Sequence, residues 1–239
     1  SMDMLLVDFT GRARERVALQ YPYPDPDALF AEIKVRLSEL TQTLPAKLRG
    51  RLYGVGVAAP LALEGWQTLL GVAPEQATKW AGIDIRARVQ AMTDLPVEFV
   101  KDTSAACVAE LVAGRGRSMR SFLYIFVDTF IGGGLVLDSH LRGGLNGNAG
   151  AVGSVPLGLS RAGATSPAQL LSVASLFNLE ARFRRHGLDE SAAVDDRALD
   201  MPWRPHTQAW LQDAGPAVAL AVNTAACLLD LEGVIVDGL

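Results

Sequence analysis

The sequence predicts an α/β fold in two lobes. Three observations carry the prediction. Short apolar runs of strand length alternate with longer stretches of helical period. Some neighbouring strands are joined by tight turns, among them the stretch Val127-Asp128-Thr129-Phe130-Ile131-Gly132-Gly133-Gly134-Leu135, which reads as strand, glycine turn and strand. No segment repeats at the period of a solenoid.

The elements follow in order. Met4 to Phe9 is a strand, Thr10-Gly11-Arg12 a hairpin turn, Glu15 to Tyr21 the returning strand and Pro22 to Pro26 a stiff connector. Asp27 is expected to N-cap a helix over Ala28 to Thr43, with Leu29, Ile33, Leu37 and Leu40 as its apolar stripe. Arg51 to Ala58 is a buried strand, Asp84 to Met92 a helix and Pro96 to Val100 a strand. Asp102 is expected to cap a helix over Thr103 to Ala113. Ser121 to Val127 and Gly133 to Leu137 flank the glycine turn, and Leu141 to Pro156 is a glycine-rich excursion. The rest is mainly helical: Pro167 to Phe183, then Pro205 to Gln212, a break at Gly215-Pro216, and Ala217 to Leu229. That last helix is apolar almost all round, which predicts burial or a subunit interface. Val234-Ile235-Val236 is a final buried strand. The division into lobes is placed at 1–112 and 113–239, with a helical segment over 167–230, and the chain reads as truncated at both ends.

Composition narrows the function classes. At 239 residues the chain can bury a sizeable core, and 49% hydrophobic with 20% charged residues is the balance of an ordered globule. A net charge of −4 makes a poor general field for nucleic acid. Arg115, Arg117 and Arg120 read as a solvated turn. No apolar run approaches the ~18 residues of a membrane span. Cys107 and Cys227 lie in apolar helical patterns and are expected as buried thiols of a reducing cytoplasm. His140, His186 and His206 show no paired spacing and are expected singly on the surface.

The glycine turn carries the chemistry. Glycine backbone can cradle a phosphate because no Cβ blocks its N–H groups. Here the acid Asp128 and the ring Phe130 stand where an anion wants neither. There is no GxxxxGK[ST] and no acidic pair with obvious magnesium spacing. Lys101, Asp102, Asn146, Asn148, Ser154 and Gln169 are the polar residues that could hydrogen-bond a small ligand. Two structural readings stand beside that one. Asp102 before Thr-Ser-Ala-Ala is a good helix cap, and Asn146-Gly147-Asn148 is a good turn.

Four segments in order, LYGVGVAAP (52–60), LPVEFVKDTSAACVAEL (95–111), FIGGGLVL (130–137) and GGLNGNAGAVG (143–153), resemble the ROK family. This family joins bacterial sugar kinases and sugar-responsive repressors. The resemblance implies a two-lobed actin-like ATPase (ribonuclease H-like) fold. It also implies that the first strand and first phosphate loop of the N-terminal lobe are missing.

In family kinases an Asn-Asp pair ends a strand, the Asp as base and the Asn on the sugar; here the pair is Lys101-Asp102. The family's phosphate turn is matched by Thr129, Ile131, Gly132, Gly133 and Gly134 but departs at Asp128 and Phe130. Gly150-Ala151-Val152-Gly153-Ser154 stands where Gly-Glu-x-Gly-His binds sugar, and 161–166 holds no cysteine where the family carries a zinc motif. Leu171 stands where that motif ends in a sugar-binding Glu. The resemblance therefore implies the effector-sensing, dimerising domain of a cytoplasmic ROK-type transcriptional regulator of the repressor kind or its opposite, a pseudokinase without cofactor or zinc. It would bind a sugar or related molecule between the lobes, form a homodimer, and reach DNA through a helix-turn-helix not present in this chain. The alternative is an ATP- and magnesium-dependent sugar kinase with Asp102 as base. A scaffold without a ligand is the third reading.

Overall fold

The structure is a computed structural model and describes residues 1–21, 24–60, 73–159 and 167–238. Contacts divide the chain into two compact units, Ser1–Lys101 and Asp102–Leu239.

In the first unit β1 (Met2–Val7) and β2 (Ala13–Leu19) form an antiparallel hairpin, with Met2 opposite Leu19. Asp8 builds the turn. Its Oδ1 accepts the N–H groups of Thr10 at 2.8 Å and Arg12 at 3.2 Å, and Oδ2 takes Arg14 Nε at 2.8 Å. Gly11 supplies the positive φ of +79°.

Helix α1 (Pro26–Thr43) starts earlier than expected. Its N-cap is Asp25, not Asp27, and Asp25 Oδ1 accepts the Ala28 N–H at 3.1 Å. The reason is Pro26, whose preset φ and missing N–H suit the first helical position. Residues 22–23 of the connector lie outside the described residues. A short α2 (Ala46–Arg49) leads to β3 (Val55–Ala59), and α3 (Pro74–Thr78) and α4 (Ile85–Gln90) lead to β4 (Val97–Lys101). Strands β3 and β4 pair in parallel, from Val55 opposite Val97 to Ala59 opposite Lys101. Phe30, Trp80, Val89 and Val97 form the core, and the Trp80 Nε1–H donates to Pro24 O at 2.9 Å.

The second unit opens with α5 (Asp102–Ala113). A division at 112/113 is one helix too late, because α5 packs on strands that follow it. Those strands are β5 (Phe122–Val127), β6 (Gly132–Leu137), β7 (His140–Arg142) and β8 (Gly233–Gly238), in the order β7-β6-β5-β8. Only β5 and β8 run parallel. Alternation along β5 feeds two cores: Phe122 and Tyr124 join Cys107, Val136 and Ile235, while Leu123 and Ile125 join the helical cluster on the other face. Burial on both faces explains the unbroken apolar run of β5. In β8 Ile235 is buried and Val236 is half exposed, so this strand is less buried than its composition predicts.

Two helix expectations are corrected. The stretch 167–183 is not one helix but α6 (Leu171–Ala174) and α7 (Leu176–Arg185), parted by an extended Ser175. Ser175 is wholly buried; its hydroxyl donates to Leu171 O at 2.6 Å and accepts the Ile131 N–H at 3.0 Å. Conversely, Gly215-Pro216 does not break the chain: α8 runs unbroken over Arg204–Leu229. Trp210, Ala214, Ala217 and Ala221 are buried along one side of it. The carbonyl that Pro216 cannot serve belongs to the exposed Gln212, where water can reach it. The far end of α8 is not buried. Cys227 is exposed, contrary to the expected buried thiol, and Leu228 is 77% exposed. No helix among the described residues is long and apolar enough to cross a membrane.

Candidate functional site

The glycine turn begins where β5 ends. Asp128 Oδ1 accepts the Thr129 N–H at 2.6 Å, and the Ile131 N–H goes to the Ser175 hydroxyl. The carbonyls of Asp128 and Thr129 accept the N–H groups of Leu176 and Phe177 at 3.0 and 3.1 Å. The turn thus occupies the first N–H groups of α7. The Phe130 ring lies on the Phe177 ring, with centroids 5.8 Å apart. The local field is negative as well. Half-buried Glu180 on α7 titrates above the usual carboxylate range, first because of burial and then because of Glu190 and Asp128.

Two N–H groups of the turn are thus bonded within the protein, one of them to a carboxylate, and the turn carries one ring of an aromatic pair.

The three glycines after the turn serve packing. Gly132, Gly133 and Gly134 lie in β6, paired with Phe126, Ile125 and Tyr124. A Cβ on Gly132 would sit 2.6 Å from Thr103 Cγ2, and one on Gly134 would sit 2.6 Å from Cys107 Cβ. A Cβ on Gly133 would meet the Tyr124 carbonyl at 2.2 Å. Thr103 and Cys107 stand four apart on α5, one helical turn, so they seat on every second residue of β6. The glycines therefore let α5 lie directly on the strand. Cys107 is fully buried there, and burial pushes its thiol up to about 12. It is a packing residue and not a nucleophile.

The glycine-rich excursion closes over the same strand. Gly150, at φ +75°, has no room for a side chain, since its Cβ would lie 2.6 Å from Leu135 N. Gly153 comes as near to Ile131 O, with its Cβ at 2.4 Å. Within the loop, Ala149 N–H donates to Gly143 O at 3.1 Å and Ala151 N–H to Asn148 O at 3.1 Å.

The candidate ligand residues occupy distinct places. Lys101 ends β4 in the first unit, and Asp102 opens α5 in the second. Asp102 is not an N-cap outside the helix as expected; it is the first helical residue, and its Oδ1 accepts the Thr103 N–H at 2.6 Å. Asn146, Asn148 and Ser154 are exposed on the excursion, and exposed Gln169 forms an isolated antiparallel bridge with Pro156. Thr129 is in the turn and Gly132, Gly133 and Gly134 in the strand.

Three features escaped the sequence. Ser175 lies 44 residues from the Ile131 N–H it accepts. Thr103 is hidden behind the more conspicuous Asp102. His186 and His206, expected singly, stack with ring centroids 4.0 Å apart. A spacing of twenty residues with an irregular connection between gave no periodic signal for that pair.

A family model described as the ROK family matches residues 2–186. The xylose repressor of Bacillus subtilis (strain 168) is 26% identical over 106 residues, covering 44% of this chain and 27% of the repressor. The N-acetylmannosamine kinase of Citrobacter koseri is 32% identical over 148 residues, covering 62% of this chain and 48% of the kinase. The matched stretch is thus less than two thirds of either relative. A ROK family glucokinase from Streptomyces griseus, solved with glucose and AMPPNP, superposes with a TM-score of 0.72 at 18% identity, over 98% of this chain and 78% of that one. That likeness shows a shared α/β, actin-like ATPase fold. With the family match covering most of the sequence, and with regulators and sugar kinases both among its relatives, this chain belongs to the ROK family.

Proposed function

We propose that this chain is the effector-sensing and dimerising domain of a cytoplasmic ROK-type transcriptional regulator. It is catalytically inactive and binds a sugar or related small molecule near Asp102. One observation carries the reading: the Thr129 and Ile131 N–H groups of the former phosphate turn are committed to Asp128 and Ser175, with Phe130 stacked on Phe177. The xylose repressor shows that the family includes regulators. Effector binding would favour one arrangement of the domain over another and so bias DNA binding by a helix-turn-helix outside this chain.

The alternative is an ATP-dependent sugar kinase. It is favoured by the survival of an acid, Asp102, at the base position and by the N-acetylmannosamine kinase among the relatives. One assay separates the two. Protein carrying this chain is incubated with ATP, magnesium and glucose, xylose or N-acetylmannosamine, and sugar phosphate is measured. The regulator reading expects none above background. Phosphorylation that disappears in Asp102→Asn overturns it.

A further inference from the structure

We propose that Asn146 is a modification site, at which the chain itself converts the side-chain amide to aspartate and β-linked isoaspartate, with water as the co-reactant. The inference is independent of the proposed function and holds for a kinase and a regulator alike.

Loss of an asparagine amide begins when the backbone nitrogen of the next residue attacks the asparagine Cγ. That nitrogen must be unshielded and loosely held. The four asparagines of the chain differ in this respect. Asn178 and Asn223 lie inside α7 and α8, where the following N–H belongs to the helical ladder. The Asn178 amide also donates to Leu171 O at 3.2 Å. Asn148 precedes Ala149, whose N–H is committed to Gly143 O at 3.1 Å and whose Cβ crowds the approach. Asn146 precedes Gly147. No Cβ stands there, and the Gly147 N–H reaches Gly144 O only at 3.4 Å, longer than the usual ~3.0 Å.

The surroundings leave the reaction open. Leu145, Asn146, Gly147 and Asn148 are all exposed at the tip of the excursion, so water reaches both the amide and its attacker. In the first step the bond from Gly147 N to Asn146 Cγ forms and the Cγ–Nδ2 bond breaks. The Gly147 proton leaves with the amide nitrogen as ammonia. Water then opens the cyclic imide. Opening at Cγ gives aspartate, and opening at the backbone carbonyl carries the chain through Cγ and gives isoaspartate. Nothing is oxidised or reduced. Either product adds one negative charge to a chain of formal net charge −4. Isoaspartate also adds one methylene to a loop with little slack, since Ala149 N–H closes on Gly143 O and a Cβ on Gly150 would lie 2.6 Å from Leu135 N. Conversion therefore places a carboxylate beside Asn148, on the stretch that holds two of the candidate ligand residues.

The test ages the protein at physiological temperature and mildly alkaline pH, folded and in urea, and follows the acidic species by ion exchange. Trypsin cleavage after Arg142 and Arg161 isolates 143–161, which carries both Asn146 and Asn148, and fragmentation of that peptide locates the converted residue. Conversion is expected at 146 and not at 148. The folded rate is expected to lie within about tenfold of the rate in urea, because an exposed loop tip has little local protection. Asn146→Gln, whose longer side chain closes the ring far more slowly, is expected to lose the early acidic species. A folded rate more than about tenfold below the urea rate overturns the proposal, because the turn would then hold the Gly147 nitrogen out of reach. Conversion at 148 as fast as at 146 overturns the role given to Gly147. An acidic species that persists in Asn146→Gln overturns the site itself.

Discussion

If Gly132 serves packing, adding one methyl to it should be costly, and trimming the facing residue should relieve the cost. The structure sets the size of both effects. A Cβ on Gly132 would lie 2.6 Å from Thr103 Cγ2 but 3.5 Å from Thr103 Cβ and 3.6 Å from Oγ1. Carbon pairs are comfortable at about 3.5–4.0 Å, so α5 and β6 must part by about 1 Å, and only the methyl forces them apart. Overpacking of this kind costs about 1–3 kcal/mol. Alanine recovers about 0.5–1 kcal/mol by restricting the unfolded chain. Gly132→Ala should therefore destabilise by up to about 2.5 kcal/mol. Thr103→Ser removes the offending methyl and by itself costs about 1 kcal/mol of buried CH₂. In the double variant the new alanine methyl takes the vacated place, so the pair should be more stable than the sum of the singles predicts, by about 1–2 kcal/mol. Urea unfolding of the four proteins, followed by tryptophan fluorescence, measures this coupling. Additive effects within about 0.5 kcal/mol would refute the packing role. Gly132 would then be available for another purpose, a phosphate among them.

Two further outcomes follow from other parts of the second unit. His206 titrates below the ordinary histidine range, because of burial first and then the nearby His186 and Arg182 charges. A depressed pKa means that the folded state binds fewer protons than the unfolded chain. The stabilisation is present above the ordinary histidine value and is lost as pH falls through the folded value, so His206→Gln should flatten the drop in thermal midpoint between neutral and mildly acidic pH; an unchanged pH profile would dissociate the stack from stability. Pro216 lies exposed inside an unbroken helix, where it removes one backbone bond. Pro216→Ala should stabilise by about 1 kcal/mol or more in the same urea assay, and a destabilised variant would show that the ring makes a contact the helix needs.

The parts of the fold legible in the sequence were those governed by neighbours in the chain. The strand–turn–strand of 122–137 and the 102–113 helix follow from local period and turn chemistry. The errors arose where a distant partner decides. Gly215-Pro216 is a strong local breaker, yet one buried stripe from Trp210 to Ala221 holds the helix together across it. The reverse happens at Ser175, where a helical pattern is interrupted so that its hydroxyl can reach Ile131. The same logic applies to the candidate site. Asp128 and Phe130 could be read from sequence as hostile to phosphate, because charge and bulk belong to the residues themselves. That the turn's N–H groups are already spent could not be read, because one acceptor comes from 44 residues away. This second fact is the stronger of the two. Asp128→Gly with Phe130→Gly would restore the family's glycines, but Ser175 would still hold the Ile131 N–H. On the proposed reading, a phosphate site at this turn would therefore require remodelling of the α6–α7 junction as well as of the turn.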